Sequence, residues 1–142
     1  ASCTAASLLT EDHKPEKEKE RTRIELAGGF VSQYPFDTPR VCGSLSLSRA
    51  FGDFRFKRHP KLDADRQIVS SMVDLHHERF LSGESLCLAC DGLFEAESMD
   101  LATVGHLVQQ NDSASKTVQC LIKKSIEAGS KDNHTCFVMH FR

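Results

Sequence analysis

The rest of the chain is arranged around SLCLACDGLF, residues 85–94. Residues 86–90 are apolar or nearly so, uncharged and without a helical period, which is typical of a strand buried on both faces. The run ends on Asp91, followed by Gly92. A carboxylate at the end of a buried strand stands on a rigid scaffold and suits a metal ligand or a catalytic group. Asp-Gly is also a common turn signal, so this pair alone favours a simple turn.

A second motif, GSKDN at residues 129–133, predicts a helix end and a polar turn that carries a carboxylate, and TCFVMHF at 135–141 predicts a strand after it. Three further blocks lie upstream: DHKP at 12–15, AGG at 27–29 and GSLSLSRAFGDF at 43–54. The five blocks, in this order, resemble the metal-dependent serine/threonine protein phosphatases of the 2C family. That family carries DHKP, a helix ending in AGG, LSxSRAxGD, a strand ending in ACDG, and GSxDN before a last strand.

The resemblance implies a fold as well as a family. The family fold is an α-β-β-α sandwich, two antiparallel sheets flanked by helices, within the broad α/β class and more narrowly α+β. Residues 1–142 would be the C-terminal part of one such catalytic domain. The missing N-terminal half, or another chain, would then cover sheet edges that this part leaves open.

The resemblance also implies the site. Asp91 and Asp132 correspond to ligands of a binuclear Mg²⁺ or Mn²⁺ centre completed by residues outside this chain. The implied reaction is hydrolysis of phosphoserine or phosphothreonine in phosphoprotein substrates, by direct attack of a metal-activated water. Gly92 and Asn133 would support the two turns. Glu95 stands where the family usually has Asp, near a weaker additional metal, and is a further candidate ligand.

Several family residues have no counterpart in this chain. The bridging Asp of a DGHGG block, a further acidic ligand, a phosphate-binding Arg and a general-acid His all belong to the upstream half. No residue here is therefore assigned a direct catalytic role, and we expect the 142 residues alone to be inactive. A catalytically inactive pseudophosphatase that binds partners is the alternative. Two departures from the family pattern keep this alternative open. Glu95 stands in place of Asp, and SSM at residues 70–72 stands in place of the usual Pro-Glu-Pro-like segment.

Composition narrows the class of protein. Of 142 residues, 39% are hydrophobic and 27% charged, with a net charge of −2, which is ordinary for a globular domain and gives no bulk basicity for nucleic acid or anionic lipid. No apolar run reaches the ~18 residues that a membrane span needs. The six cysteines are spread along the chain, which predicts free thiols and an intracellular location, cytoplasmic or nuclear.

Two other motifs could suggest a different kind of site. Cys87 and Cys90 form a C-x-x-C, but on a strand their side chains point to opposite faces and no second pair completes a zinc site. Asp63 and Asp65 form a D-x-D, which could suggest an aspartate nucleophile. That mechanism needs the first Asp at the end of an apolar strand, and no such strand precedes Asp63. An unrelated interaction module would match the five blocks only by coincidence.

Periodicity and end signals predict the remaining elements. Ser98 is expected to cap a helix with a buried stripe from residue 101 to residue 108. The next helix should bury Val118, Leu121, Ile122 and Ile126, and Gly129 should end it. The other predicted elements are a surface helix at 15–27, strands at 30–32, 44–48 and 67–75, and the helix at 113–128.

Overall fold

The structure is a computed structural model that describes residues 6–35 and 37–142. The chain divides into two compact units. The first, the 10–76 unit, comprises Thr10–His76; the second, the C-terminal unit, comprises His77–Arg142 with the described residues before Thr10. Within the described ranges, no helix has both the length and the apolar character that crossing a bilayer requires.

The 10–76 unit begins with helix α1, Glu18–Leu26. The helix starts three residues later than predicted, because the chain around Pro15 forms a turn in which the N–H of Lys17 donates to the carbonyl of Lys14. It ends as predicted at the Gly28–Gly29 pair, with Gly28 at φ +83° and the N–H of Gly29 donating to the carbonyl of Ile24. The left-handed backbone at Gly28 favours glycine because it carries no Cβ.

Two short strands follow, β1 at Val31–Ser32 and β2 at Arg40–Val41, paired antiparallel. The predicted strand at 44–48 is wrong, because the chain turns back after Val41 and Leu45 forms an isolated bridge to it. The predicted strand at 67–75 is also wrong: it retains one isolated bridge, between Ser70 and Arg49. The Arg23 guanidinium donates to the carbonyls of Gln67 and Ile68, so a side chain takes acceptors that a partner strand would have used.

The C-terminal unit is built on strands β3, Ser85–Ala89, and β4, Cys136–His140, paired antiparallel with Cys87 opposite Val138. Helices α2, Leu101–Gln109, and α3, Ala114–Glu127, pack against one face of this sheet. The antiparallel strands and packed helices confirm the α+β class. The core combines side chains from both helices, β4 and the turn after β3: Leu93, Met99, Val104, Leu107, Val108, Leu121 and Val138.

The expectation that β3 is buried on both faces is wrong for the described residues. Leu88 is 53% exposed, and so is the neighbouring Phe137 of β4 at 52%. The helices cover the face that bears Val138, and the described residues leave the opposite face open. The predicted alternation of β4 is confirmed, with Val138 inside and Phe137 and Met139 outside.

In the C-terminal unit, the end of α3 is as predicted, whereas the residue that caps α2 differs from the prediction. Asp100, rather than Ser98, caps α2, and its carboxylate accepts from the N–H of Thr103 at 2.8 Å. Gly129 ends α3 as predicted, at φ +104°. The buried stripe of α3 is Thr117, Leu121 and Ser125, and Ile126 is 56% exposed. The polar members of this stripe are tolerated inside because their hydroxyls donate to backbone carbonyls.

Candidate metal centre

Asp91 lies where β3 ends and a short 3₁₀ turn, Asp91–Leu93, begins. The backbone leaves the strand in an extended conformation at Cys90, and the N–H of Phe94 then donates to the carbonyl of Asp91 at 2.8 Å. The Asp91 side chain is exposed while the next two residues are buried. The carboxylate therefore stands at the solvent edge of a turn anchored in the core.

Asp132 lies on the turn that follows α3. The helix closes with the N–H of Ser130 donating to the carbonyl of Ser125 at 3.1 Å, and the turn residues 131–133 are exposed. The Asp132 carboxylate accepts from the N–H of Asn133 at 2.7 Å, a local bond typical of Asp in turns. Asn133 contributes its backbone N–H to this turn, and its supporting part in a metal centre stays a prediction.

Gly92 brings two turns into contact: the first turn, Asp91–Leu93, and the second turn, residues 130–133. A β-carbon at this position would lie 2.3 Å from the carbonyl oxygen of Asn133 and 3.3 Å from the β-carbon of Asp132. A contact of 2.3 Å is far inside van der Waals distance, so a side chain at residue 92 would push the turns apart. Glycine is thus required by close backbone approach, and the residue that follows Asp91 packs directly on Asp132.

Two serine side chains, one in α3 and one just after it, pack against the first turn. Ser125 Oγ lies 3.1 Å from the carbonyl oxygen of Gly92, and Ser130 Oγ lies 2.9 Å from the same oxygen. Both serines are buried, and His134 Nε2 approaches Ser125 Oγ at 2.9 Å. The sequence reasoning missed both residues. The signal for Ser130 was its place in GSKDN, whereas Ser125 carried none beyond a polar residue on a buried helix face.

The thiol of Cys90 ties β3 to the far side of the second turn. Its Sγ lies 3.2 Å from the carbonyl oxygen of Asn133 and accepts from the N–H of Thr135 at 3.2 Å. Cys87 instead lies 3.9 Å from Cys136 across the sheet. The two cysteines of the C-x-x-C thus have different partners, as expected for a strand rather than a redox loop.

Glu95 joins the first turn to the second. One of its carboxylate oxygens, Oε2, lies 2.6 Å from Ser130 Oγ, 2.9 Å from the backbone nitrogen of Lys131 and 3.3 Å from that of Asp132. The hydrogen bond from Ser130, with those from the two N–H groups, lowers the pKa of the Glu95 carboxyl and outweighs the opposing effect of desolvation. Glu95 is therefore a carboxylate anion at neutral pH.

The donors in these turns suit a hard cation. Carboxylate oxygens are the ligands that Mg²⁺ and Mn²⁺ prefer, and such ions keep several waters, so few protein ligands suffice. Gly92 leaves room for the two aspartate-bearing turns to meet. In the described part of the chain, no three His, Cys, Asp or Glu side chains are grouped as a metal site would need. Asp91 and Asp132 thus fit part of a metal centre, and their assignment as ligands stays a prediction.

A second concentration of charge lies in the 10–76 unit. The Glu20 side chain is 4% exposed and pairs with Arg23 and Arg49, each at 2.7 Å. Arg49 also pairs with Asp74 at 2.9 Å, and Asp74 lies 2.7 Å from His13 Nε2. A cavity of about 350 Å³ opens beside Arg49, Asp74 and His13. Because Arg49 is neutralised by two carboxylates, it supports the fold rather than offering a free charge to a ligand.

Comparison with known proteins decides the family. The sequence profile of the family described as protein phosphatase 2C matches residues 2–134. The chain belongs to the protein phosphatase 2C family. The five sequence blocks are thus confirmed as marks of this family, and the reading as an unrelated interaction module is wrong.

Two relatives in the 2C family are similar along nearly the whole chain. Protein phosphatase ppm-1.A of Caenorhabditis elegans is 39% identical over 93% of this chain and 28% of its own length. Probable protein phosphatase 2C 44 of Oryza sativa subsp. japonica is 39% identical over 97% of this chain and 40% of its own length. The chain spans less than half the length of the curated relatives it matches.

A solved structure, described as a phosphatase from a pathogenic strain of Toxoplasma gondii, matches the fold with a TM-score of 0.88 at 36% identity. The match covers 96% of this chain and 42% of that one. A Caenorhabditis elegans sex determining protein matches with a TM-score of 0.68 at 28% identity, over 92% of this chain and 31% of its own. The chain therefore shares its fold with part of each of these proteins.

Proposed function

We propose that this chain supplies part of the metal centre of a metal-dependent protein serine/threonine phosphatase. The observation that carries the proposal is the contact between the two aspartate-bearing turns at Gly92, where a β-carbon would come within 2.3 Å of Asn133. This contact joins residues adjacent to Asp91 and Asp132 although they are distant in the chain. Membership of the 2C family, whose members are metal-dependent phosphatases, supports the same function.

In this proposal Asp91 and Asp132 bind Mg²⁺ or Mn²⁺ through their carboxylates. Bound metal ions would lower the pKa of a water and neutralise charge on the phosphoryl oxygens of phosphoserine or phosphothreonine. The protein's own contribution is to hold the two carboxylates at the edge of a packed core. Gly92 permits the approach, while Cys90, Ser125 and the hydrogen bond from Ser130 to Glu95 fasten the two turns.

We further propose that residues outside this chain complete the centre, since the relatives are more than twice as long. The open face and edges of the β3–β4 sheet, with Leu88 and Phe137 exposed, support a covering partner. The upstream part of the relatives' domain is the occupant we propose, because an apolar sheet face in water is unfavourable. The 142 residues alone would then be inactive.

We also propose an intracellular location, cytoplasmic or nuclear. The described cysteines, Cys42, Cys87, Cys90, Cys120 and Cys136, are free thiols, which is typical of a reducing compartment.

The test is Mn²⁺-dependent hydrolysis of a phosphothreonine peptide by the chain extended N-terminally to the length of its relatives. Asp91→Asn and Asp132→Asn should each lower activity by about 100-fold or more, since even residues that only orient metal ligands cost about 10–100-fold. Asp112→Asn, an exposed carboxylate in the same unit, is the matched control and should retain activity.

The 142-residue chain, assayed beside the extended protein, should show no turnover. Turnover by the short chain would contradict the proposal that the centre is incomplete. A folded but inactive extended protein would contradict the phosphatase function and favour the pseudophosphatase that binds partners without catalysis.

A further inference from the structure

The Glu95 carboxylate faces the turn that carries Asp132, although it lies in the segment after Asp91. We propose that Glu95 is a positioning residue for Asp132, a clamp on residues 130–132, rather than an additional metal ligand. The clamp itself is a property of the metal-free chain. Only its consequence for metal binding rests on the proposed function.

The contacts of Glu95 converge on one oxygen. Oε2 accepts from the hydroxyl of Ser130 at 2.6 Å and from the N–H of Lys131 at 2.9 Å, and the N–H of Asp132 approaches at 3.3 Å. These donors belong to three consecutive residues. An anion held by consecutive donors orders the turn that carries them, because hydrogen bonds to a charged acceptor are about twice as strong as neutral ones.

The same contacts argue against Oε2 as a metal ligand. A carboxylate oxygen offers about two lone-pair sites, and the three donors around Oε2 already share them. A cation at this oxygen would have to displace the Ser130 hydroxyl or the Lys131 N–H. The hydrogen-bonding capacity of Oε2 is therefore taken up by residues of the second turn.

Side-chain length explains why glutamate stands here. Aspartate, which the family resemblance leads one to expect at this position, is one methylene shorter, by about 1.5 Å. Contacts of 2.6 to 2.9 Å would then lengthen beyond hydrogen-bonding distance on the present backbone. The extra methylene lets the carboxylate reach across to the second turn.

The consequence falls on Asp132. Its N–H faces Glu95 and its carboxylate accepts from the N–H of Asn133, so the residue is held on both sides. Gly92 packs against its β-carbon from a third direction. Restricting the backbone of a ligand residue in this way reduces the conformational entropy that metal binding must remove.

The first experiment measures amide hydrogen exchange in the metal-free 142-residue chain, with the amides of β3 and β4 as internal reference. Glu95→Ala should speed exchange at Lys131 and Asp132 by at least about tenfold relative to the reference, the fold-change expected for losing a hydrogen bond to a charged group. Glu95→Gln, which keeps the length and one acceptor oxygen, should restore part of the protection. Glu95→Asp should resemble Glu95→Ala.

Glu97→Ala is the matched control, because this neighbouring carboxylate is also exposed. It should leave the exchange at both amides unchanged. Unchanged exchange in Glu95→Ala, or an equal effect from Glu97→Ala, would overturn the clamp.

The second experiment measures Mn²⁺ binding by electron paramagnetic resonance in the N-terminally extended protein. Glu95→Ala should raise the dissociation constant by about 10–100-fold, as loss of an orienting residue does, with the number of bound ions unchanged. Loss of one ion would instead identify Glu95 as a ligand and overturn the positioning role. If the unaltered protein bound no Mn²⁺, the proposed function would fail while the exchange result still judged the clamp.

Discussion

One carboxylate of the 10–76 unit and two carboxylates of the C-terminal unit are held in opposite ways. In the 10–76 unit, Glu20 is buried and paired with two arginines and a serine hydroxyl. In the C-terminal unit, Asp132 and Glu95 are exposed, and the contacts described for them are with N–H and O–H groups. Within the described residues, neither forms an ion pair with a lysine or arginine side chain. A buried carboxylate is thus neutralised internally, whereas the exposed ones keep their charge at the surface.

The difference teaches how the same side-chain chemistry serves stability or binding. Taking a charge out of water costs free energy unless a partner charge and hydrogen bonds satisfy it, and Glu20 meets that condition on every side. A carboxylate that is held by backbone N–H groups at the surface is ordered but not neutralised. Asp132, whose carboxylate accepts from the N–H of Asn133, can therefore still attract a cation from solution.

The largest effect is expected at the buried carboxylate. Glu20→Ala should lower the free energy of unfolding by about 3–5 kcal/mol, because it removes the carboxylate partner of the part-buried Arg23 and leaves Arg49 with Asp74 alone. Urea unfolding of the 142-residue chain followed by circular dichroism measures this. Glu18→Ala, an exposed position on the same helix, should change it by no more than about 0.5 kcal/mol. Equal losses from the two variants would remove the contrast between the units.

The same carboxylate, Glu20, should make the free energy of unfolding depend on pH. Burial alone would raise the pKa of Glu20, but hydrogen bonds from Arg49, Ser48 and Arg23 outweigh it and lower the pKa from 4.5 to about 2. A lowered pKa means that the unfolded chain binds the proton first. The stabilisation is therefore fully present above pH 4.5 and is lost as the pH falls toward about 2.

This shift corresponds to about 3 kcal/mol of unfolding free energy between those pH values. The measurement is a series of urea unfolding curves from pH 6 down to the acid limit of folding. Glu20→Gln carries no titrating group at this position, so its stability should fall less steeply over the same range. Parallel curves for the two proteins would show that Glu20 does not set the acid sensitivity.

An intermediate effect is expected at the contact between the two turns. Gly92→Ala should cost about 1–3 kcal/mol of unfolding free energy, as overpacking does, and should also weaken Mn²⁺ binding. Gly83→Ala is a useful comparison because its β-carbon would meet no atom within 4 Å, while its φ of +91° strains any other residue. It should lower stability without changing Mn²⁺ affinity in the extended protein. Unchanged Mn²⁺ affinity in Gly92→Ala would show that the contact between the two turns does not position the metal ligands.

The smallest effect on stability is expected at the exposed carboxylate itself. Asp132→Asn keeps a side-chain oxygen that can accept from the N–H of Asn133. Its unfolding free energy should lie within about 0.5 kcal/mol of the unaltered chain, even though Mn²⁺ binding in the extended protein is lost. Urea unfolding without metal, paired with a Mn²⁺ titration, tests both halves. A stability loss of more than about 1 kcal/mol would show that Asp132 supports the fold as Glu20 does.

The C-terminal unit was predicted better than the 10–76 unit, and the reason is local. Glycine at the end of α3 and alternation in β4 are signals that neighbouring residues carry, and the structure confirms both. The alternation at residues 44–48 was equally regular but wrong as a strand. Ser48 turns inward to Glu20, and no spacing within the segment reveals that partner.

The candidate site divides in the same way. Asp91 and Asp132 were recognisable because each lies in a short motif whose residues are contiguous. Ser125 was not, since its importance comes from the carbonyl of Gly92, which reaches it only when α3 packs against the turn after β3. The contacts of Cys90 could not be predicted either, because its two backbone partners, Asn133 and Thr135, lie in the segment before β4.

The family, the α+β class and the two turns that carry aspartate could all be recognised from the amino-acid sequence. Glycine and carboxylate signals act over a few residues, so they can be recognised without a structure. Three features became visible only in the folded chain: these turns touch, Glu95 reaches across to the second turn, and Glu20 is buried between arginines. Such contacts join residues far apart in the chain, and their formation depends on strand register and helix packing, which no local pattern encodes.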